Sequence, residues 1–510
     1  MALSTDILSR LVGARINRAS LIVALELATF IYLTIPALLW IFGWLQLFIA
    51  IPLALGLIAA AVHAWKETRR HCLSADFVST EQNPPLWSFV VALLPVLVWA
   101  FYSGAGGFTP TSPDWPKHFA MMRDLTEASW PVAYTIEGKS YSLVFYLAYY
   151  LPAAAVAKIF GWWFGCLALS LWTCLGTVLA VAWFTLLVGR YPVLAALLFI
   201  FANGLDFLGQ RLVQGGPLLP GTEHLDWWAG LLNLPGHYSQ LVWAPQHSLA
   251  AWMITGLLAV ELGSGRKPSH ALLLVALATF WSPFTIIGLI PLALFAWIRS
   301  GNRGIFSFPN LFSLPLFAIS GLYFLSRIYP SPHGFIWNIA DIRTEWPRLF
   351  LAHLLEWIVF FLFAKELRKS VDPWLRGCFW TAGLILLVYP FYSYGYANDW
   401  AMRTTIPAMF LLWAGVIRSL LAAKTGTETR ILALLFLIGA SGALHESSRT
   451  WRLPDSNLIS QDMHVHVPGL DEPYRSQYLG KMDSFFFRHL ARTPDPLLYA
   501  PPNPSGFPAP

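Results

Sequence analysis

The chain alternates between long apolar blocks and short polar connections. Blocks such as Leu21–Trp40, Leu47–Trp65 and Trp162–Val188 each come close to the roughly 20 residues that a helix needs to cross a hydrocarbon core about 30 Å thick. Bounding the blocks at charges and at Pro/Gly turns predicts helices near 20–42, 44–65, 87–103, 162–188, 192–205, 247–263, 271–282, 284–299, 309–328, 348–364, 377–393, 403–423 and 430–445. The expected fold class is therefore an all-α polytopic membrane protein with about thirteen transmembrane helices, interfacial helices in its first large outer loop, and a small outer C-terminal tail. A membrane domain over 1–445 would contain two large outer loops, 104–161 and 206–246, and the tail would occupy 446–510.

Two stretches do not read as simple spans. Tyr141–Phe160 is apolar enough to cross, but if it did, Arg190, Arg266/Lys267, Arg299/Arg303, the Lys365–Arg376 cluster and Lys424/Arg430 would all lie opposite Arg10–Arg18. The tendency of basic loops to stay on the cytoplasmic side favours a juxtamembrane or re-entrant segment instead. Ala271–Arg299 has basic residues at both ends and Trp281-Ser282-Pro283 in the middle. Proline disfavours helix at the residue before it, and a break inside a membrane is tolerated only where it faces protein or water. Two shorter helices turning at Trp281–Pro283 and walling a cavity are the expectation.

Composition sharpens the class. Of 510 residues, 56% are hydrophobic and 12% charged, against about 25% charged in a typical soluble domain, which excludes a soluble enzyme, a disordered chain and a nucleic-acid-binding module. The net charge of +6 resides mostly in short loops, where it sets orientation and is no argument for nucleic acid. Four cysteines, Cys72, Cys166, Cys174 and Cys378, fit neither a disulfide framework nor a zinc spacing. Met1–Ser20 carries Arg10, Arg15 and Arg18 ahead of a full-length apolar span, which reads as a retained first helix with a cytoplasmic N-terminus. A bacterial inner (plasma) membrane is the expected location.

The concentrated chemistry lies at the outer mouths of the helices. In Ser112-Pro113-Asp114-Trp115-Pro116-Lys117-His118, Asp114 opens a helix and shares a face with His118 at i, i+4. A carboxylate there suits a general base, and with a histidine it also suits a divalent cation such as Mg or Mn; an N-cap followed by proline in the first turn is the plainer reading. In Asn398-Asp399-Trp400-Ala401-Met402-Arg403, an arginine on the outer side suits a phosphate clamp, while Asp399 and Arg403 at i, i+4 also suit a simple pair. Gln246 and His247 open another span, preceded by His224, Asp226, His237 and Gln240; they line the site or anchor the interface. Asp206, Arg211, His333, Asp341, Arg343, His445 and Glu446 are weaker candidates of the same kind, and His353 and Glu356 one turn apart in a span face a cavity or each other.

An acidic residue before interfacial helices in the first large outer loop, followed by Tyr146-Leu147-Ala148-Tyr149-Tyr150-Leu151-Pro152, resembles the glycosyltransferase C superfamily. Its protein O-mannosyltransferase and aminoarabinose-transferase branches are nearest, over roughly residues 87–300. The acidic loop follows the third span instead of the first, which implies two added N-terminal helices. The resemblance implies inverting transfer of a sugar from a polyprenyl-phosphate-linked donor to a glycan, lipid or protein acceptor on the extracytoplasmic side. It makes Asp114 the catalytic residue. Donor phosphate would fall to Arg403, Arg343 and Lys117, with His118, Gln246, His247, Trp281 and Asp399 around the substrates and membrane lipid around the donor tail. Two other activities on related substrates remain open at this point: a lipid-linked glycan ligase or polymerase, and a transporter or flippase of lipid-linked sugars. Loop 206–246 has only Arg211 for a ligase, and only one broken helix is evident where a transporter pairs two.

Overall fold

The computed structural model describes residues 15–74, 83–215, 224–266, 269–300, 302–328, 331–339, 345–363, 373–395, 397–422, 426–452, 465–472 and 475–498. Six stretches among these are helical, long and apolar enough to cross a membrane: Arg18–Trp44, Leu47–Cys72, Trp162–Val188, Pro192–Gln214, Pro373–Phe391 and Thr427–Arg452. Shorter apolar helices lie between them.

The chain opens with α1 (Arg18–Trp44) and α2 (Leu47–Cys72), which pack against each other as a hairpin. We call the end at which α1 begins proximal and the end at which it finishes distal. Along α2, Phe48, Ile51, Leu55, Ile58 and Val62 face outward, Phe48 at 70% and Leu55 at 64% exposure. Their spacing of three and four residues makes one apolar stripe. In water such a stripe would be a sticky patch, whereas hydrocarbon carries no penalty against it. After α3 (Leu86–Phe101), the distal segment folds into α4 (Trp115–Glu127) and a hairpin of β1 (Ala133–Ile136) and β2 (Lys139–Leu143).

That hairpin corrects the all-α expectation. The connecting Glu137 and Gly138 both have positive φ, 50° and 75°, as a two-residue turn matched to strand twist demands. The flanking Tyr134, Thr135, Ile136 and Tyr141 favour strand. The tail completes the sheet: β5 (Leu479–Lys481) pairs with β2 and β6 (Leu497–Leu498) pairs with β1, in the order β5-β2-β1-β6. Asp124 of α4 pins the same tail, accepting bonds from Val467 N at 2.9 Å and Tyr134 Oη at 2.6 Å and pairing with His466 Nδ1 at 2.6 Å. Loop and tail are thus one distal cap.

Within 141–160, only α5 (Leu151–Phe160) is helical. Its 10 residues cover about 15 Å, half of a hydrocarbon core, so the helix does not cross by itself. It turns at Gly161 into α6 (Trp162–Val188), against which it packs tightly. Next come α7 (Pro192–Phe201), α8 (Asp206–Gln214), α9 (His237–Trp243) and α10 (Pro245–Gly263). α10 is buried on nearly every face, which marks it as the central helix, and it packs against α6 and the helices that follow.

α11 (Ala271–Thr279) and α12 (Pro283–Ser300) are separated at Phe280–Ser282, the break expected from Pro283. The freed carbonyl of Phe280 accepts Ala148 N at 3.0 Å, so the break supports the aromatic segment before α5. α13 (Phe308–Phe324) is followed by β3 (His333–Phe335) and then by α14 (Trp346–His353), which continues through a π-turn at Leu354–Ile358. α15 (Pro373–Val388) leads to β4 (Tyr392–Tyr394), which pairs with β3. α16 (Asp399–Thr404), α17 (Ile406–Leu421) and α18 (Thr427–Arg452) close the bundle. α18 continues past 445, the end expected from hydropathy, because Glu446 and Arg449 pair within its last turns at 2.7 Å.

Candidate functional site

Asp114 stands at the start of α4 but does not cap it: its side chain makes no bond to the helix's free N–H groups. Its carboxylate lies 2.9 Å from Lys117 Nζ, with 28% of the side chain exposed. The acid is therefore accessible and held by a cation that a stronger anion could draw away.

His118, one helical turn on, is buried. Its Nδ1 meets Tyr150 Oη at 2.5 Å and its Nε2 lies 3.3 Å from the Trp243 carbonyl. Burial pushes the imidazole down to about 4, against the opposing pull of Asp114, so the ring is neutral at physiological pH. With both nitrogens engaged, His118 ties α4 to the aromatic segment and to the end of α9. Trp243 is itself fixed from α18, its Nε1 donating to Glu446 Oε1 at 2.7 Å.

Arg403 is bound to Asp399, with Nε to Oδ1 at 2.7 Å and Nη2 to Oδ1 at 2.6 Å. The pair sits in a wider field: against the opposing cost of burial, the negative charges of Asp399 and Asp114 favour the guanidinium cation and hold it above its ordinary range. α16 reaches this place because Gly288 of α12 lets the Thr404 carbonyl and Pro407 approach the α12 backbone; a Cβ there would collide with that carbonyl. Asn398, at φ 51°, caps α16 by accepting Ala401 N at 3.3 Å.

Between the two ion pairs lies an aromatic floor. The Tyr146 ring packs over His247 with centroids 4.7 Å apart, and Phe145 packs on Tyr478 at 4.5 Å. Tyr323 fixes the floor, its hydroxyl accepting Phe145 N at 3.1 Å. His247 is wholly buried, with Nδ1 2.7 Å from Ser282 Oγ in the α11–α12 break and Nε2 without a hydrogen-bond partner among the described residues. Burial pushes the Tyr478 hydroxyl well above its ordinary range, and the charges of Asp114, Arg403 and Asp399 all act on it.

The structure thus brings together Asp114, Lys117, His118, His247, Asp399 and Arg403. Gln246 is buried next to His247 in the chain, its Oε1 without a hydrogen-bond partner among the described residues. Trp281 is not at the surface of the site: it is fully buried, stacked on Tyr32 at 5.4 Å, and its neighbour Ser282 makes the contact to His247. Arg343 and Asp341 lie outside the described residues. Tyr150, Ser282 and Tyr478 were absent from the sequence-based set. Tyr150 had a signal in its aromatic run, whereas Tyr478 reaches the site only through a sheet pairing more than 300 residues distant in sequence.

Of the weaker candidates, Glu446 and Asp206 belong to a second network with His224 and Asp226. Glu446 accepts Arg449 Nε at 2.9 Å and pairs with His224 Nδ1 at 3.2 Å, and Asp206 accepts Trp228 Nε1 at 2.9 Å. Burial pushes Asp226 up to about 7 within it. A cavity of about 580 Å³ lies along the distal part of α1, lined by Ile35, Leu38, Leu39, Phe42 and Trp130 together with Lys158 and Arg492.

Comparison with known protein families, with curated proteins and with solved structures finds no match.

Proposed function

We propose that the protein is a membrane glycosyltransferase that moves a sugar from a polyprenyl-phosphate-linked donor to an acceptor at the distal end of the bundle. The observation that carries the reading is that two carboxylate–cation pairs, Asp114–Lys117 and Asp399–Arg403, share one electrostatic field around a floor of buried aromatic rings. In this reading the distal end is extracytoplasmic, because Arg18, Arg69, Arg70, Arg190, Arg266 and Arg430 lie at or near proximal helix ends and basic residues favour the cytoplasmic side. The thirteen-span count and the bacterial inner membrane belong to the same proposal.

The chemistry follows from the pairs. A donor phosphate competes with the carboxylates for Lys117 and Arg403, whose planar fork can hold two phosphate oxygens. Drawing Lys117 onto the phosphate leaves Asp114 free to take a proton. The acceptor hydroxyl gives that proton to Asp114 while its oxygen bonds to the anomeric carbon. The bond from that carbon to the phosphate oxygen breaks on the opposite face, so the configuration inverts. The electron pair leaves with the polyprenyl phosphate, whose added charge is stabilised by the two cations. The cavity along α1 suits an isoprenoid or lipid tail. A divalent cation such as Mg or Mn, if used, would meet the Asp114 carboxylate, since both nitrogens of His118 are already engaged.

The test is transfer of labelled sugar from a polyprenyl-phosphate pool to envelope acceptors in membranes containing the protein. Product of inverted anomeric configuration is expected, and the absence of any transfer would remove the proposal.

A further inference from the structure

At the proximal end, far from Asp114, the fold buries a second group of charged side chains. Glu26 of α1, Glu261 near the end of α10 and His270 at the start of α11 are all within 2% of complete burial. His270 Nε2 lies 3.7 Å from Glu26 Oε1 and 3.5 Å from Glu261 Oε2, and the three ligand atoms stand within 4.8 Å of one another. We propose that Glu26, Glu261 and His270 form a binding site for a divalent metal ion of the zinc class.

Three observations carry this. The first is spacing: ligands at about 2.0–2.2 Å from a tetrahedral ion stand roughly 3.3–3.6 Å from each other. The 3.5 Å from His270 Nε2 to Glu261 lies inside that window and the 3.7 Å to Glu26 just beyond it, and both are long for hydrogen bonds. The second is an unmet bonding need. Among the described residues neither nitrogen of the fully buried His270 ring has a hydrogen-bond partner, and Glu261 Oε2 lacks one too. Imidazole nitrogen and carboxylate oxygen turned toward one point are ligands that zinc accepts.

The third is the orientation and charge of the surroundings. Arg266 Nη1 contacts Glu26 Oε2 at 3.4 Å and Glu261 Oε1 more closely, so it takes one oxygen of each carboxylate and leaves the other facing His270. The Thr68 hydroxyl of α2 donates to Glu26 Oε1 at 2.5 Å, orienting the ligand from behind. Glu67 also acts electrostatically on Glu261 and Arg266. Three carboxylates and one guanidinium leave two negative charges, which a divalent ion neutralises. The Cys72 thiol lies within the field of Arg266, Glu261 and Glu26.

Bound there, the ion would tie α1 to the α10–α11 pair. α10 runs about 21 Å from Glu261 to His247, and α11 ends at the break whose Ser282 holds that histidine. The site would anchor, from the opposite end, the two helices that carry the distal cluster.

The test uses the full chain in detergent, stripped with a chelator and titrated with ZnCl2. Wild type is expected to bind one equivalent and to melt at a higher temperature with zinc than without. His270→Gln and Glu261→Gln should weaken binding at least about tenfold, and Thr68→Val by about tenfold. Gly321→Ala, where an added Cβ meets nothing within 4 Å among the described residues, should bind as wild type does. CoCl2 should give the strong visible absorption of a tetrahedral ion in wild type and lose it in His270→Gln, a readout that stands even if the variants are less stable. Less than stoichiometric zinc in folded wild type, or undiminished binding in His270→Gln, would overturn the proposal.

Discussion

Asp114 and Lys117 meet at 2.9 Å across the first turn of α4 while the free N–H groups of that turn go without the Asp114 side chain. The sequence Asp-Trp-Pro suits a cap, and the structure uses the carboxylate otherwise. On the proposed reading, Lys117 holds the base in the resting state and binds phosphate in the loaded one. Lys117→Ala should raise the donor KM more than it lowers kcat, as loss of binding common to ground and transition states does. Initial rates over a range of donor concentrations check this.

Arg403 is expected to act through its fork as well as its charge. Arg403→Ala should cut transfer by about 10²–10³-fold, the scale of losing one oriented donor to a developing anion. Arg403→Lys keeps the charge but loses the two-oxygen geometry, and should remain on the order of tenfold below wild type. Equal activity of wild type and both variants would remove Arg403 from the site.

The helical part of this architecture was readable because membrane spans announce themselves by length. Trp162–Val188 has the ends that hydropathy assigns it, and the α11–α12 break lies where Pro283 forbids a continuous helix. The β1–β2 hairpin was overlooked although Glu137-Gly138 between β-favouring residues carries its signature, because short strands are quiet beside long apolar blocks. Asp114 and Arg403 stood out as charges at helix mouths, where charges are costly unless used. Tyr478 could not be found that way. Its place depends on Asp124 pinning Val467 and on the β2–β5 pairing, contacts between distant segments that no local pattern encodes.

His118 gives the protein an acid-sensitive joint. Its value of about 4 lies below the ordinary value of about 6.5, so the unfolded chain binds the proton more readily than the folded one. Stability from this residue is intact above pH 6.5 and falls as pH drops toward 4, by about 2 kcal/mol at pH 5. His118→Asn should melt at a lower temperature than wild type at pH 7.5, having lost the Tyr150 contact, yet lose less on acidification. Melting in detergent at pH 7.5 and pH 5 for both proteins measures the difference.

Gly288 sets the approach of α12 to α16. Gly288→Ala places a methyl against the Thr404 carbonyl and should destabilise by about 1–3 kcal/mol, with reduced transfer because α16 carries Arg403. Gly321→Ala on α13, where a Cβ meets nothing within 4 Å, is the control and should be neutral or slightly stabilising. Similar melting of the two variants would contradict the packing account.

Membrane orientation is checked by reporters fused after Ser140 and after Gly189. The account predicts an extracytoplasmic signal at the first and a cytoplasmic signal at the second. The reverse at either would separate Asp114 from an extracytoplasmic acceptor.

The most direct test of the central claim compares sugar transfer by wild type and by Asp114→Asn at equal membrane abundance and equal melting temperature. Asparagine keeps the shape but cannot accept the acceptor's proton. Transfer is expected to fall by about 10²–10⁴-fold, the usual contribution of a positioned base. Wild-type transfer in the variant would contradict the account, returning Asp114 to the role of a surface partner for Lys117.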